Sequence, residues 1–355
     1  MALILAVLLL PVPASAAKAP VPITTPEELA DIAKDPEGSY ILKNDIDMTG
    51  VAWKSLDFSG TLDGNGHAIL NLTVSEPTEL TPTAIDGNRI EYAPQYYGLF
   101  GTLVGAEIKN LNLVNVRALV ESDEPCFLAS LTGYCEDSTV TDCSISGTLE
   151  LRAHEKCFGV GGVIGFGTGS VERCNVDVTL ICTDTDATTK DEQFLGGIFA
   201  VGFVDVVDSS VTIQGYASEH GYAHNGGLTG LYIPYPKDTK HFGNLNNNTV
   251  DGTITFFEDN RDRRAYCKAY CGETLAYRYS IQGNRQKFKR NEVRKCDEEL
   301  RPEMCETPAY TETTVPATVD AYGYTEFTCE TCGYTYRDLY VLWNSHEAET
   351  QRSGK

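Results

Sequence analysis

The chain has 355 residues, an apolar fraction of 42% and a net charge of -22. That apolar fraction excludes a disordered polymer, and the acidic excess excludes nucleic acid as partner of the whole molecule, since phosphate would be repelled. Beyond the first residues no stretch nears the length of a transmembrane helix, so no transmembrane segment is expected.

The run Leu3 to Leu10, then Pro11-Val12-Pro13 and Ala14-Ser15-Ala16, has the form of a secretory signal over residues 1-16, cleaved after Ala16. It lacks the usual opening Lys or Arg. Residues 17-37 read as a linker and a capping helix, with Thr25 as N-cap, Pro26 at the first position and Glu28 completing a capping box. Leu29, Ile32 and Ala33 then form an apolar stripe that covers whatever follows.

Residues 38-257 carry an internal repeat. Tyr97-Gly98-Leu99-Phe100-Gly101 recurs as Phe127-Leu128-Ala129-Ser130-Leu131, Gly161-Gly162-Val163-Ile164-Gly165, Gly196-Gly197-Ile198-Phe199 and Gly226-Gly227-Leu228-Thr229-Gly230. The anchors Leu99, Leu131, Val163, Ile198 and Leu228 are 32, 32, 35 and 30 residues apart. A second element follows each first one, as in Val140-Thr141-Asp142-Cys143-Ser144-Ile145 and Val171-Glu172-Arg173-Cys174-Asn175-Val176, and alternates apolar and polar residues at the period of a strand. One such unit cannot bury its apolar face alone, so the copies must stack. The pattern predicts an all-β fold, a right-handed parallel β-helix of about seven coils. Cys126 with Cys157, and Cys143 with Cys174, are each 31 residues apart. They are expected as buried stacks in neighbouring coils, with inter-coil disulfides within reach on distance. Cys135 and Cys182 find no equivalent partner.

From about residue 258 the strand pattern stops. Between Arg261 and Lys295 there are 11 Lys or Arg against 3 acids. Residues 258-304 therefore read as a basic connecting segment, either a solvated or docking face or a patch attracted to anionic glycans. Residues 305-348 read as a Cys-rich, zinc-ribbon-like module centred on Cys329-Glu330-Thr331-Cys332, and 349-355 as a tail. A Cys-x2-Cys pair is half of a tetrahedral site, and structural zinc held by Cys305, Cys329, Cys332 and either His346 or Cys296 competes with disulfides that also draw on Cys267, Cys271 and Cys296.

The central repeats, with Tyr40-Ile41-Leu42-Lys43-Asn44-Asp45 and Phe58-Ser59-Gly60-Thr61-Leu62-Asp63-Gly64 at their entry, resemble the glycine-rich GLUG motif of bacterial extracellular proteins. The frame from Tyr310 through Pro316, Cys329 and Gly333 to His346 looks like a small Cys-rich repeat of Gram-positive surface proteins, with Thr318 where that pattern commonly has Cys. These resemblances imply a secreted or cell-surface location in a Gram-positive type bacterium, without assigning an activity.

A hydrolase needs converging carboxylates and a lyase needs a calcium-binding acid cluster beside a base. Asp45-x-Asp47, Asp184-x-Asp186 and Asp205-x2-Asp208 are too closely spaced along single strands to read that way, and His220-x3-His224 falls in what reads as a loop. No catalytic residue is assigned. The insertions at 76-92 and 232-241 instead bring Tyr92, Tyr96, Tyr232 and Tyr235 forward as contacts to extracellular glycans or cell-wall polymers. The sequence thus favours an adhesin-like, glycan-binding scaffold, with a β-helix polysaccharide lyase or hydrolase and a ligand-free spacer as alternatives.

Overall fold

The structure is a computed structural model. It describes residues 19-78, 80-85, 91-153, 157-184, 192-219, 222-235, 237, 240-258, 265-276, 278-293, 309-318, 323-330 and 335-341. The proposed signal segment 1-16 lies outside them.

Three parallel sheets of 13, 6 and 10 strands wrap a common core. Each full coil visits all three in turn. One coil runs Cys126–Ala129 in the six-stranded sheet, Thr132–Thr141 in the thirteen-stranded sheet and Ser144–Ala153 in the ten-stranded sheet. The next runs Cys157–Gly161, Ile164–Glu172 and Asn175–Asp184, pairing in parallel with the first at every step. This is the β-helix expected from the repeat. The anchors Leu99, Leu131, Val163, Ile198 and Leu228 are all buried, one above another, in the shared interior.

Two corners shape each coil. At the first, between the six- and thirteen-stranded sheets, Gly162, Gly197 and Gly227 lie on top of one another. A Cβ on Gly162 would sit 2.0 Å from the Gly197 carbonyl oxygen, and one on Gly197 2.2 Å from that of Gly227, so this column admits almost no side chain. At the second corner Asn110, Asp142, Arg173, Asp208 and Asn247 all adopt positive φ, between 51° and 60°. Asn and Asp tolerate that conformation. Arg173 does not by nature, and it is held by a bidentate pair with Asp142 (Nε to Oδ1 2.8 Å, Nη2 to Oδ2 2.9 Å).

The residue after each αL position points inward and forms a ladder. The Leu111 N–H donates to Cys143 Sγ and the Cys143 N–H to Cys174 Sγ. The Cys174 N–H then donates to Ser209 Oγ (3.1 Å), Ser209 N–H to Asn248 Oδ1 (3.0 Å) and Asn248 N–H to Asn284 Oδ1 (2.6 Å). Side chains thereby satisfy backbone donors that a sharp bend takes out of the sheet ladders.

The N-terminal end is capped as the sequence predicts. Pro26–Ala30 is α-helical and Asp31–Lys34 continues as a 3-10 turn, with Leu29 and Ile32 buried and Ala33, which was expected to join them, exposed. Thr25 Oγ1 accepts the Glu28 N–H, but Glu28 Oε2 reaches the N–H and hydroxyl of Thr24 rather than the N-cap itself.

The boundary near residue 258 is corrected. Ala265–Lys268, Cys271–Thr274 and Arg285–Val293 pair in parallel with Ala223–Gly226, Thr229–Tyr232 and Thr249–Phe257, so the supposed connecting segment carries one more coil. Gly283 (φ 69°) takes the αL corner there and Asn284 the inward position. Cysteine stacking is corrected too: the register sets Cys126 opposite Phe158, one residue away from Cys157. Tyr310–Val315, Gly323–Cys329 and Thr335–Val341 form a separate antiparallel sheet of 3 strands.

Candidate functional site

Two of the four tyrosines are not surface groups. Tyr96 and Tyr232 are 0% exposed. Each ring packs among other aromatics, Tyr96 in a smaller cluster on Phe127 (centroids 6.2 Å) and Tyr232 in the main core on Phe203 (5.0 Å). Tyr96 also donates its hydroxyl to the Pro82 carbonyl in the first insertion (2.7 Å). Tyr92 lies on a short strand, Glu91–Tyr92, that pairs with Ala84–Ile85, and its side chain is outside the described residues.

Tyr235 is different. Half-buried, it stacks on exposed His241 with centroids 4.5 Å apart, and both rings meet the edge of Phe203. Phe242, 53% exposed, follows directly in the chain. The second insertion thus folds back over the coils below and leaves an aromatic platform at the surface.

The acids beside that platform arise from backbone geometry. Cys135 pairs with Gly167 and Ser138 with Gly169, so Glu136 and Asp137 oppose a single residue, a β-bulge. Asp137 has φ 47°, and the bulge turns both carboxylates outward. Asp137 Oδ1 accepts the Tyr235 hydroxyl (2.8 Å) and the Thr168 hydroxyl (3.1 Å). Lys237 Nζ bridges Asp137 Oδ2 (2.7 Å) and Glu136 Oε1 (2.6 Å). The Lys237 bond, with those from Tyr235 and Thr168, holds the Asp137 carboxyl below the usual range against partial desolvation. Burial, then the Asp137 charge, pushes the Tyr235 phenol up. An ionised Asp137 with both oxygens engaged orients rings; it is poorly placed to donate a proton as a hydrolase acid must.

The ten-stranded sheet offers a second surface. Its outward face carries in-register columns, Ser144-Asn175-Ser210-Thr249 and Ser146-Asp177-Thr212-Asp251, ending at Arg285 and Lys287. Charged residues on a terminal strand also blunt its open edge against pairing with other chains.

His224 lies in a strand, Tyr222–Gly226, not in a loop, and His220 lies outside the described residues. Its buried ring is sandwiched between Phe194 (5.2 Å) and Tyr266 (5.3 Å), and burial lowers its pKa to about 4. Of the zinc set only Cys329 is described, buried at the end of its strand opposite Tyr310; Cys305, Cys332 and His346 lie outside. Among the described residues no group of three or more His, Cys, Asp or Glu gathers to hold a metal ion.

The platform was missed by reading tyrosines alone. His241, Phe203 and the bulge acids complete it, and the sequence signal was the one-residue excess that Glu136-Asp137 make over Thr168 of the neighbouring coil. Compared with known protein families and with curated proteins, the chain matches none.

Proposed function

We propose that the chain is a secreted or cell-surface scaffold that binds extracellular glycan at the Tyr235-His241 platform. The supporting observation is the stacked ring pair, oriented by a bulged acid and followed by exposed Phe242. Ring faces pack on the C–H faces of sugars while neighbouring polar groups reach hydroxyls. Carboxylates at the patch and a net charge of -22 favour a neutral glycan over a uronic-acid or sulfated one. The GLUG-like repeats and the Gram-positive-type terminal module support the location. Structural zinc in that module, through Cys305, Cys329, Cys332 and His346, belongs to the same reading, and metal analysis that finds no zinc removes it.

The test is a glycan array followed by titration of the best neutral ligand. Tyr235→Ala and His241→Ala should each weaken binding about tenfold, the weight of one good aromatic contact. Unchanged affinity in both variants overturns the platform. Release of new reducing or unsaturated ends in a parallel assay would favour the lyase or hydrolase alternative.

A further inference from the structure

Cysteines recur along the solenoid, yet the register keeps most of them apart. Cys126 lies opposite Phe158, Cys135 opposite Gly167, Cys182 between Leu151 and Ala217, Cys267 opposite Asn225 and Cys271 opposite Thr229. Cys143 and Cys174 are the exception among the described residues. They hold the same inward position of the αL corner in successive coils, bracketed by the pairs Thr141↔Glu172 and Ser144↔Asn175. The Asn175 N–H donates to the Cys143 carbonyl (2.9 Å), which fixes the stacking. Equivalent Cα atoms in neighbouring parallel strands are about 4.8 Å apart, within the window of roughly 4.4–6.8 Å that a disulfide spans. Cys174 Sγ lies 3.7 Å from the Val140 carbonyl oxygen, so it already leans toward the coil that carries Cys143.

We propose that Cys143 and Cys174 form an inter-coil disulfide, made by exchange with a small-molecule disulfide such as oxidised glutathione. Either sulfur can attack first, Cys174 for instance. Its thiolate breaks the reagent's S–S bond and releases one small thiol, leaving a mixed disulfide. Cys143 then loses its proton and attacks the Cys174 sulfur, releasing the second small thiol. One S–S bond breaks and one forms, and the two electrons and two protons lost by the protein leave on the released thiols. Both sulfurs are buried, so exchange takes place during folding or through local opening of the corner.

The ladder explains why this pair is singled out. Higher in the column Ser209, Asn248 and Asn284 tie coil to coil through oxygen acceptors. At Cys143 and Cys174 the same duty falls on sulfur, a weaker acceptor, and a covalent bond would replace the weakest rung.

The test uses the intact chain, refolded in a reduced/oxidised glutathione buffer, quenched with acid and alkylated. Cleavage after Arg and acidic residues isolates Cys143 in 143-150 and Cys174 in 174-177. The expected product is these two peptides joined, two hydrogens lighter than their sum and separated by a phosphine. The phosphine should also lower the thermal midpoint of the wild type while leaving that of Cys174→Ser unchanged. Recovery of both cysteines as alkylated thiols under conditions that oxidise a free small dithiol, or of Cys174 joined elsewhere, overturns the proposal. The peptide result needs no variant to fold.

Discussion

Where Gly162, Gly197 and Gly227 stack, the backbones of successive coils come so close that a side chain is excluded, whereas at the αL corner each coil is tied to the next by a side chain. One is defined by what must be absent and the other by what must be present. The two should therefore fail differently. Gly197→Ala drives a methyl to 2.2 Å from the Gly227 carbonyl oxygen and 2.6 Å from Val211 Cγ1, where backbone cannot yield without shifting a coil. A loss of about 3 kcal/mol in urea unfolding, the upper end for overpacking, is expected. Ser130, stacked where Gly162 sits in the next coil, is a natural control, because its buried hydroxyl has no partner among the described residues. Ser130→Ala should cost nothing; a loss as large as that at Gly197 would mean that burial rather than close approach governs this corner.

Asn248→Ala tests the other side. The side chain is fully buried, accepts the Ser209 N–H and donates to the Val206 carbonyl (2.8 Å). Its removal orphans both groups, and each unmade buried bond costs on the order of 1–3 kcal/mol, so a total near 2–3 kcal/mol is expected. Asn248→Ser, which restores a shorter acceptor like that of Ser209, should recover part of it. Equal losses in both variants would place the effect in packing.

The same contrast explains what could be read from the sequence. Glycine pairs and apolar anchors are conspicuous, so the coils that own them were legible, with the fold class and the capping helix. The last coil was not, because Lys268-Ala269 stands where glycine pairs are expected and Arg285, Lys287 and Lys289 fill the outward face of its strand. The αL corner still marked it: Gln282-Gly283-Asn284 repeats Asn246-Asn247-Asn248 at a spacing of 36. Tyr96 and Tyr232 misled for a related reason. They belong to strands on either side of the glycine corner and fill two buried clusters, and composition does not separate such a ring from one on a loop such as Tyr235.

The smallest expected effect is on pH dependence and is read on the glycine side, through the aromatic column that includes His224. Glu273 Oε2 lies 3.1 Å from His224 Nδ1, but the buried ring between Phe194 and Tyr266 remains the neutral form, with a folded pKa near 4 against an unfolded value of about 6.5. The unfolded chain then binds the extra proton between those values. The contribution is complete above pH 6.5 and is lost as pH falls toward 4, amounting to about 1–2 kcal/mol at pH 5. His224→Phe keeps the stack and removes the proton. Its stability should fall less than that of the wild type between pH 7 and pH 5, the difference of differences cancelling the carboxylates that titrate in both. Parallel curves for the two proteins would show that the Glu273 charge sustains a protonated ring, and that acid does not distinguish one corner from the other.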